Sequence, residues 1–362
     1  NGNDTLFGGL GNDTLNGGAD NDTYLFDTAL VLGGDRLIDA SGIDTLNFAA
    51  TTTKTINLNL GSTAAQTVTA GNLTLTLASA TAFENVIGGS LNDTIVGNSL
   101  ANSLAGEAGN DSLTGGLGND TLFGGLGNDT LNGGADNDTY LFDTALVLGG
   151  DRLIDASGID TLNFAATTTK TINLNLGSTA AQTVTAGNLT LTLASATAFE
   201  NVIGGSLNDT IVGNSLANSL TGAAGNDSLT GGLGKDILTG SDGLDTLNYN
   251  SLGESLLSGF DVIQGYNGTG ASLDSINAPG SIAAITLTAS KGTASSLTAA
   301  AIQLVLTNAA FAANTAAAFK VTGQSGTFIA LNNGVAGFQA ASDAIIQLSD
   351  YDIAVATPVV VI

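Results

Sequence analysis

Carboxylates recur along this chain at steps of nine residues. Glu84 is followed in register by Asp93, Asn102, Asp111, Asp120, Asp129 and Asp138, and Glu200 leads through Asp209, Asn218, Asp227, Asp236 and Asp245 to Glu254. The same register opens the chain at Asp4, Asp13 and Asp22. A carboxylate can act as a general acid or base, or it can ligate a hard cation. The spacing favours ligation. If two nine-residue units make one coil, Asp93, Asp111 and Asp129 stack on one edge and Asp120 and Asp138 on the other. Coils stack about 4.8 Å apart. Like charges at that distance repel by about 1 kcal/mol in water, and by several at an effective dielectric near 20. A divalent ion between coils reverses that sign. Calcium takes six to eight oxygens from carboxylates and carbonyls, whereas magnesium prefers a small octahedron and keeps its waters. The expected calcium ligands are Asp4, Asp13, Asp22, Asp93, Asp111, Asp120, Asp129, Asp138, Asp209, Asp227, Asp236 and Asp245.

Other chemistry is excluded within these residues. The chain has no His and no Cys. A Ser-His-Asp triad, a thiol nucleophile, a zinc site and a disulfide framework are therefore ruled out. The expectation is a non-enzyme. The net charge is −25, which repels nucleic acid and anionic membranes. No stretch of eighteen apolar residues is present to span a membrane.

The elements that must position these aspartates follow from the same period. Two residues after each register position stands an apolar or aromatic side chain: Val86, Ile95, Leu104, Leu113, Leu122, Leu131 and Tyr140. Glycines sit mostly four and five residues before it, as in Gly124-Gly125-Leu126-Gly127-Asn128-Asp129. Six turn-forming residues followed by three with one central apolar side chain predict a tight turn and a very short strand. The expected fold is all-β, a parallel β-roll or β-solenoid with an inward ladder of Leu and Ile. Such a ladder is thin, at about 2 kcal/mol per buried Leu, so the metal must contribute. A longer period supports a solenoid: Gly2 to Leu104 recurs unchanged as Gly118 to Leu220, 116 residues on.

The nonapeptide resembles a known family. Gly115-Gly116-Leu117-Gly118-Asn119-Asp120-Thr121-Leu122-Phe123 and Gly231-Gly232-Leu233-Gly234-Lys235-Asp236-Ile237-Leu238-Thr239 match the RTX calcium repeat G-G-x-G-x-D-x-U-x at every fixed position. The resemblance implies export of an unfolded chain through a type I channel, and folding outside on meeting calcium. Several positions depart from the pattern. Asn102 and Asn218 replace the aspartate, Glu107 and Asp20 stand at glycine positions, and Ala223 and Ala224 thin one turn. Fewer ions than units are expected.

The repeats divide the chain. Residues 1–22 read as the start of a β-roll and 23–83 as wider solenoid coils without the full metal ladder. Residues 84–138 are roll again, and 139–199 a second copy of the wide coils. Residues 200–277 are roll with closing strands. The final 278–362 form a small α+β or mostly β cap with one helix over 297–311 and strands near 319–321, 327–331 and 344–348. The tail segments Thr327–Gly334, Ala336–Gln339 and Asp343–Ile346 resemble the C-terminal domain of cyanobacterial RTX surface proteins, sometimes called the bluetail domain. The last five residues, Pro358–Ile362, read either as the apolar terminus of a type I substrate or as an edge strand. Opening on Asn1 inside a repeat, the chain reads as a fragment or processed product.

Taken together these features predict an extracellular or cell-surface, calcium-dependent structural protein of a surface layer, sheath or filament. It would associate with copies of itself, with cell-surface polysaccharide as a candidate partner. An adhesin stalk, and the secretion and folding tail of an exported enzyme, are the alternatives.

Overall fold

The computed structural model describes residues 2–267, 273–280, 282–353 and 358–362. The chain falls into two compact units, Asn1–Ala166 with Ser178–Phe199, and Thr167–Gly177 with Glu200–Ile362.

In the first unit, successive repeats send their short strands alternately to two sheets. One runs in the order Thr5–Leu6, Thr23–Leu25, Thr45–Asn47, Asn85–Ile87, Ser103–Ala105, Thr121–Phe123, Thr139–Leu141 and Thr161–Asn163, all parallel. The other stacks Asn57–Asn59, Thr94–Val96, Ser112–Gly116, Thr130–Gly134, Gly149–Ile154 and Leu189–Leu193, again parallel. Registers place like residues over like. Val86, Leu104, Leu122, Tyr140 and Leu162 align in the first sheet, and Leu58, Ile95, Leu113, Leu131 and Leu153 in the second. All are buried, so the core is two columns of single side chains. This is the expected parallel roll.

The stretch 23–83 widens the coil and adds core. Thr23 pairs with Thr45, one coil of 22 residues, and Thr45 pairs with Asn85, a coil of 40. The added width is filled by aromatic rings: Phe26 stacks on Phe48 at 4.9 Å, and Tyr24 meets Phe83 edge-on at 5.2 Å. The alternating strand Leu73–Leu77 lies parallel on Gly33–Ile38 and folds back antiparallel on Gln66–Thr69, a hairpin the nonapeptide rhythm does not announce. Gln66 closes it onto the neighbouring coil by accepting from the Asn59 N–H and donating to the Asn59 carbonyl.

The second unit repeats the roll and finishes it. Asn201–Ile203, Ser219–Ala224, Ile237–Asp242 and Asp261–Gln264 stack in parallel, as do Asn173–Asn175, Thr210–Val212, Ser228–Thr230, Thr246–Asn248 and Ser275–Asn277. The tail adds strands directly onto both sheets. Ala344–Leu348 pairs parallel with Asp261–Gln264 and carries an antiparallel meander through Thr327–Leu331 to Ala316–Val321. Val359–Val361 lies between Ser275–Asn277 and Ile285–Leu287, so it is an interior strand and not an edge. The tail is mostly β, as expected, with its own core around Phe311, Phe319, Phe328, Phe338 and Ile302.

The single α-helix among the described residues is shorter than the expected 297–311: it covers Ala299–Val305. Thr298 caps its start by accepting from the Ala301 N–H. At its end Thr307 takes the backbone into a turn, its carbonyl accepting from Ala310 and Phe311 and its hydroxyl from Ala310. A threonine side chain competing for local backbone amides ends helices in this way, and here it turns Phe311 into the core.

Candidate metal centre

The nonapeptide turn is shaped by glycine at two kinds of position. Gly125 and Gly127 have φ of +95° and +139°, which side-chain-bearing residues rarely adopt. A methyl group on Gly127 would overlap the Gly109 carbonyl of the preceding coil, so coils approach here as only glycine permits. Five residues before each aspartate, a methyl on Gly106, Gly115, Gly124, Gly222, Gly231 or Gly240 would overlap that turn's own carboxylate. The missing side chain is the space into which the carboxylate points.

Each aspartate spends one oxygen on the coil before it. Asp111 Oδ1 accepts from the Asp93 N–H at 2.7 Å and Asp129 Oδ1 from the Asp111 N–H at 2.7 Å. On the other edge Asp120 Oδ1 accepts from the Asn102 N–H and Asp138 Oδ1 from the Asp120 N–H, both at 2.7 Å. The pattern recurs for Asp227, Asp236 and Asp245. The second oxygen has no such partner. Oδ2 of Asp13, Asp22, Asp111, Asp120, Asp129, Asp138, Asp227, Asp236, Asp245 and Asp261 is buried without a hydrogen bond. A buried, unpaired carboxylate oxygen costs several kcal/mol unless a cation meets it.

That burial sets the electrostatics. The Asp111 and Asp120 carboxyls are pushed up to about 7, chiefly by desolvation, with Asp129 and Asp138 respectively adding like charge. Asp227 rises to about 7 and Asp129, Asp138, Asp236 and Asp245 to about 6, again mainly by burial. The space beside each orphaned oxygen is lined by more oxygen. The Gly124 carbonyl lies 2.6 Å from the position a Gly106 methyl would take, and the Gly133 carbonyl 2.6 Å from that of Gly115. Carboxylates and carbonyls with no nitrogen or sulfur donor form a hard, anionic set. It suits Ca²⁺, and the aspartates together with these carbonyls would hold it.

The expected ligands do not all behave alike. Asp111, Asp120, Asp129, Asp138, Asp227, Asp236 and Asp245 form the buried ladders, and Asp22 and Asp13 have the same orphaned Oδ2. Asp4 is exposed and offers its backbone N–H to Asp22 Oδ1. Asp93 and Asp209 differ in kind. Asp93 accepts from the Ile56 and Gly89 amides and Asp209 from the Ile172 and Gly205 amides, so backbone N–H groups satisfy both oxygens of each. Asn102 is tied in similarly, accepting from the Asn98 N–H and donating to the Glu84 carbonyl. The structure adds ladder members that fall outside the nine-residue register. Asp35, Asp44, Asp151, Asp160, Asp261 and Asp274 accept from the backbone N–H of Asp13, Asp22, Asp129, Asp138, Asp236 and Asp245. Asp151 and Asp261 are pushed up to about 8, again mainly by burial. The signal for all six was an apolar residue at +2, as in Asp44 with Leu46 and Asp261 with Ile263.

Comparison with known families bears on the same segments. The RTX calcium-binding nonapeptide repeat (4 copies) matches residues 1–27, 87–122 and 105–140. The peptidase M10 serralysin C terminal matches residues 145–327, just over half of the chain. No curated protein gives a significant match.

Proposed function

Because the chain belongs to the serralysin C-terminal family and carries RTX calcium-binding repeats, we propose that it is the calcium-triggered folding module of a larger protein exported by the type I route. Such a chain is secreted and binds several calcium ions. The observation that carries the reading is the file of buried Oδ2 atoms without partners. At low free calcium these charges oppose closure of the turns that carry them. Where calcium is abundant, each ion supplies the missing partner. Extracellular modules bind calcium with Kd of about 10⁻⁴–10⁻³ M. At ten times Kd each independent site adds about 1.4 kcal/mol, and because each coil touches only its neighbours the gain propagates along the roll. The family match favours this secretion and folding role over a self-sufficient enzyme or an adhesin.

The test is circular dichroism across a calcium titration. The β signal should be small in chelator and rise cooperatively with calcium. An unchanged spectrum in excess chelator would overturn the reading.

A structural role in a surface layer, sheath or filament is supported by a separate observation. The segment Gly2–Leu104 recurs without change as Gly118–Leu220, and it presents the same rows of exposed side chains twice, as at Leu91 with Leu207 and Leu100 with Leu216. Repeated identical surfaces suit lattice contacts between copies. Electron microscopy with and without calcium tests it: ordered arrays support it, and dispersed particles at saturating calcium refute it.

A further inference from the structure

The two places where the regular roll passes into the wide coils carry a carboxylate that the nonapeptide does not provide. In an ordinary turn the oxygen that shares the glycine-walled space with Oδ2 is a neutral carbonyl, such as that of Gly124 or Gly133. At Gly17 the corresponding neighbour is different. A methyl there would overlap Asp22 Oδ2 and would lie 2.6 Å from Asp39 Oδ2. One module later Gly133 faces Asp138 Oδ2 and Asp155 Oδ2 in the same way, with 2.6 Å to the latter. Asp39 stands five residues before Asp44, and Asp155 five before Asp160, where the repeat otherwise has glycine.

Three carboxylates therefore converge at each junction. One oxygen from each of Asp22, Asp39 and Asp44 lies within 4.8 Å of the others, and so do those of Asp138, Asp155 and Asp160. Such a cluster alone would be unremarkable on an acidic surface. Here Asp22 and Asp138 are 1% exposed, and their Oδ2 atoms point into the cluster with no hydrogen bond. A tyrosine fixes the extra carboxylate. The Tyr24 hydroxyl accepts from the Gly17 N–H at 2.7 Å and lies 2.7 Å from Asp39 Oδ2 and 2.7 Å from the Ile38 carbonyl. Tyr140 makes the same contacts with Gly133, Asp155 and Ile154. Tyrosine stands where the nonapeptide elsewhere has leucine, isoleucine or valine, so the side chain that fills the core also positions a ligand.

We propose that Asp22, Asp39 and Asp44, and again Asp138, Asp155 and Asp160, form three-carboxylate calcium sites at the roll-to-insertion junctions, and that these two sites fill before the ordinary turns. Ligand charge count, with site rigidity, sets calcium affinity in oxygen sites. An added carboxylate in place of a carbonyl lowers Kd by at least about tenfold. The ions would also clamp the wide coil to the last regular one at the step where the stacking distance along the chain changes from 18 to 22 residues. The inference takes from the proposed function only that calcium is the ion.

The full chain should be titrated with calcium against a chromophoric chelator, alongside D39N/D155N and a D227N/D245N control. The parent should show a tight phase of two ions ahead of the rest. D39N/D155N should weaken that phase at least tenfold and leave the later ions in place, and the control should keep it. An unchanged tight phase in D39N/D155N overturns the proposal. If that variant does not fold at any calcium concentration, terbium luminescence of the parent excited through tyrosine decides. Tyrosine-sensitised emission whose Tyr24- and Tyr140-dependent part, the part lost in Y24F/Y140F, saturates with the first two ions supports the sites; a Tyr24- and Tyr140-dependent part that is absent or grows only with the later ions overturns them. A chain that binds two ions tightly yet gains no β structure would sink the folding role and leave the junction sites standing.

Discussion

Asp120→Asn should change stability in opposite directions with and without calcium. In the metal-free fold Asp120 is buried, one oxygen is unpaired, and its carboxyl is pushed up to about 7, mostly by desolvation. Against an unfolded aspartate near 3.9, that difference makes the ionised group cost about 4 kcal/mol at pH 8. Asparagine has the same shape and no charge. The turn already accepts it: Asn102, two nonapeptides earlier on the same edge, bonds the Asn98 N–H at 2.7 Å and the Glu84 carbonyl at 3.1 Å. Allowing about 1–2 kcal/mol for imperfect pairing of the amide, the metal-free fold should gain about 2 kcal/mol. With calcium the substitution removes a charged ligand, and the gain becomes a loss. On the proposed reading the parent does not fold in chelator alone, so the comparison is made by folding both proteins in chelator with trimethylamine N-oxide at pH 8. D120N should fold at lower osmolyte, yet need more calcium to fold in its absence. Destabilisation of D120N under both conditions would refute the argument that the aspartates oppose the metal-free fold.

Acid should partly replace calcium. The raised carboxyls of Asp111, Asp120, Asp227, Asp151 and Asp261 bind protons in the fold at pH values where the unfolded chain does not. Metal-free stability should therefore rise as pH falls from about 8 towards 5 and be lost as pH rises through that window, with calcium binding weakened over the same range; circular dichroism in chelator at pH 8 and pH 5 checks it, and equal spectra would contradict it. Gly127→Ala should cost about 3 kcal/mol or more in saturating calcium, since its methyl meets the Gly109 carbonyl and its φ is +139°. Gly187→Ala, at φ +77° with open space around it, should cost only about 1 kcal/mol; denaturant titration of both variants should separate them clearly. Leu122→Ala, in a fully buried single-file column, should lose about 2–4 kcal/mol, read as a shifted urea midpoint at fixed calcium.

The regular coils were legible because each nonapeptide is a complete local instruction. Glycine marks the positive-φ turn, Asp the edge, and Leu the inward position, so Asp111 over Asp129 and Leu104 over Leu122 follow from spacing alone. What spacing could not reveal is how an aspartate is used. Asp93 fits the repeat as well as Asp111 does, but the strand that precedes it in the stack comes from 37 residues back, and the Ile56 amide takes its Oδ1. Asp261 and Asp274 belong to the ladders at separations of 25 and 29 residues from their partners, which no fixed period finds. Asp39 was hidden for a related reason: it occupies a glycine position, and its role depends on a tyrosine fifteen residues earlier. The expected helix was too long because apolar spacing continues past Thr307, where a hydroxyl redirects the backbone. The placing of Val359–Val361 between two strands depends on pairings with residues more than seventy positions away.

The meander at the C-terminal end bears on the direction in which the roll assembles. Its hairpins join neighbours in sequence, Ala316–Val321 to Thr327–Leu331 to Ala344–Leu348, whereas every parallel rung must first close a loop of eighteen residues or more. Short-range antiparallel pairs form faster than parallel ones. The strand Ala344–Leu348 then offers its free side to Asp261–Gln264, serving as a ready-made template on which the first coil can be laid. Growth of the second unit should thus run like a zip from tail towards head, with amide protons of the meander protected earlier than those of Asn201–Ile203 in pulse-labelled hydrogen exchange.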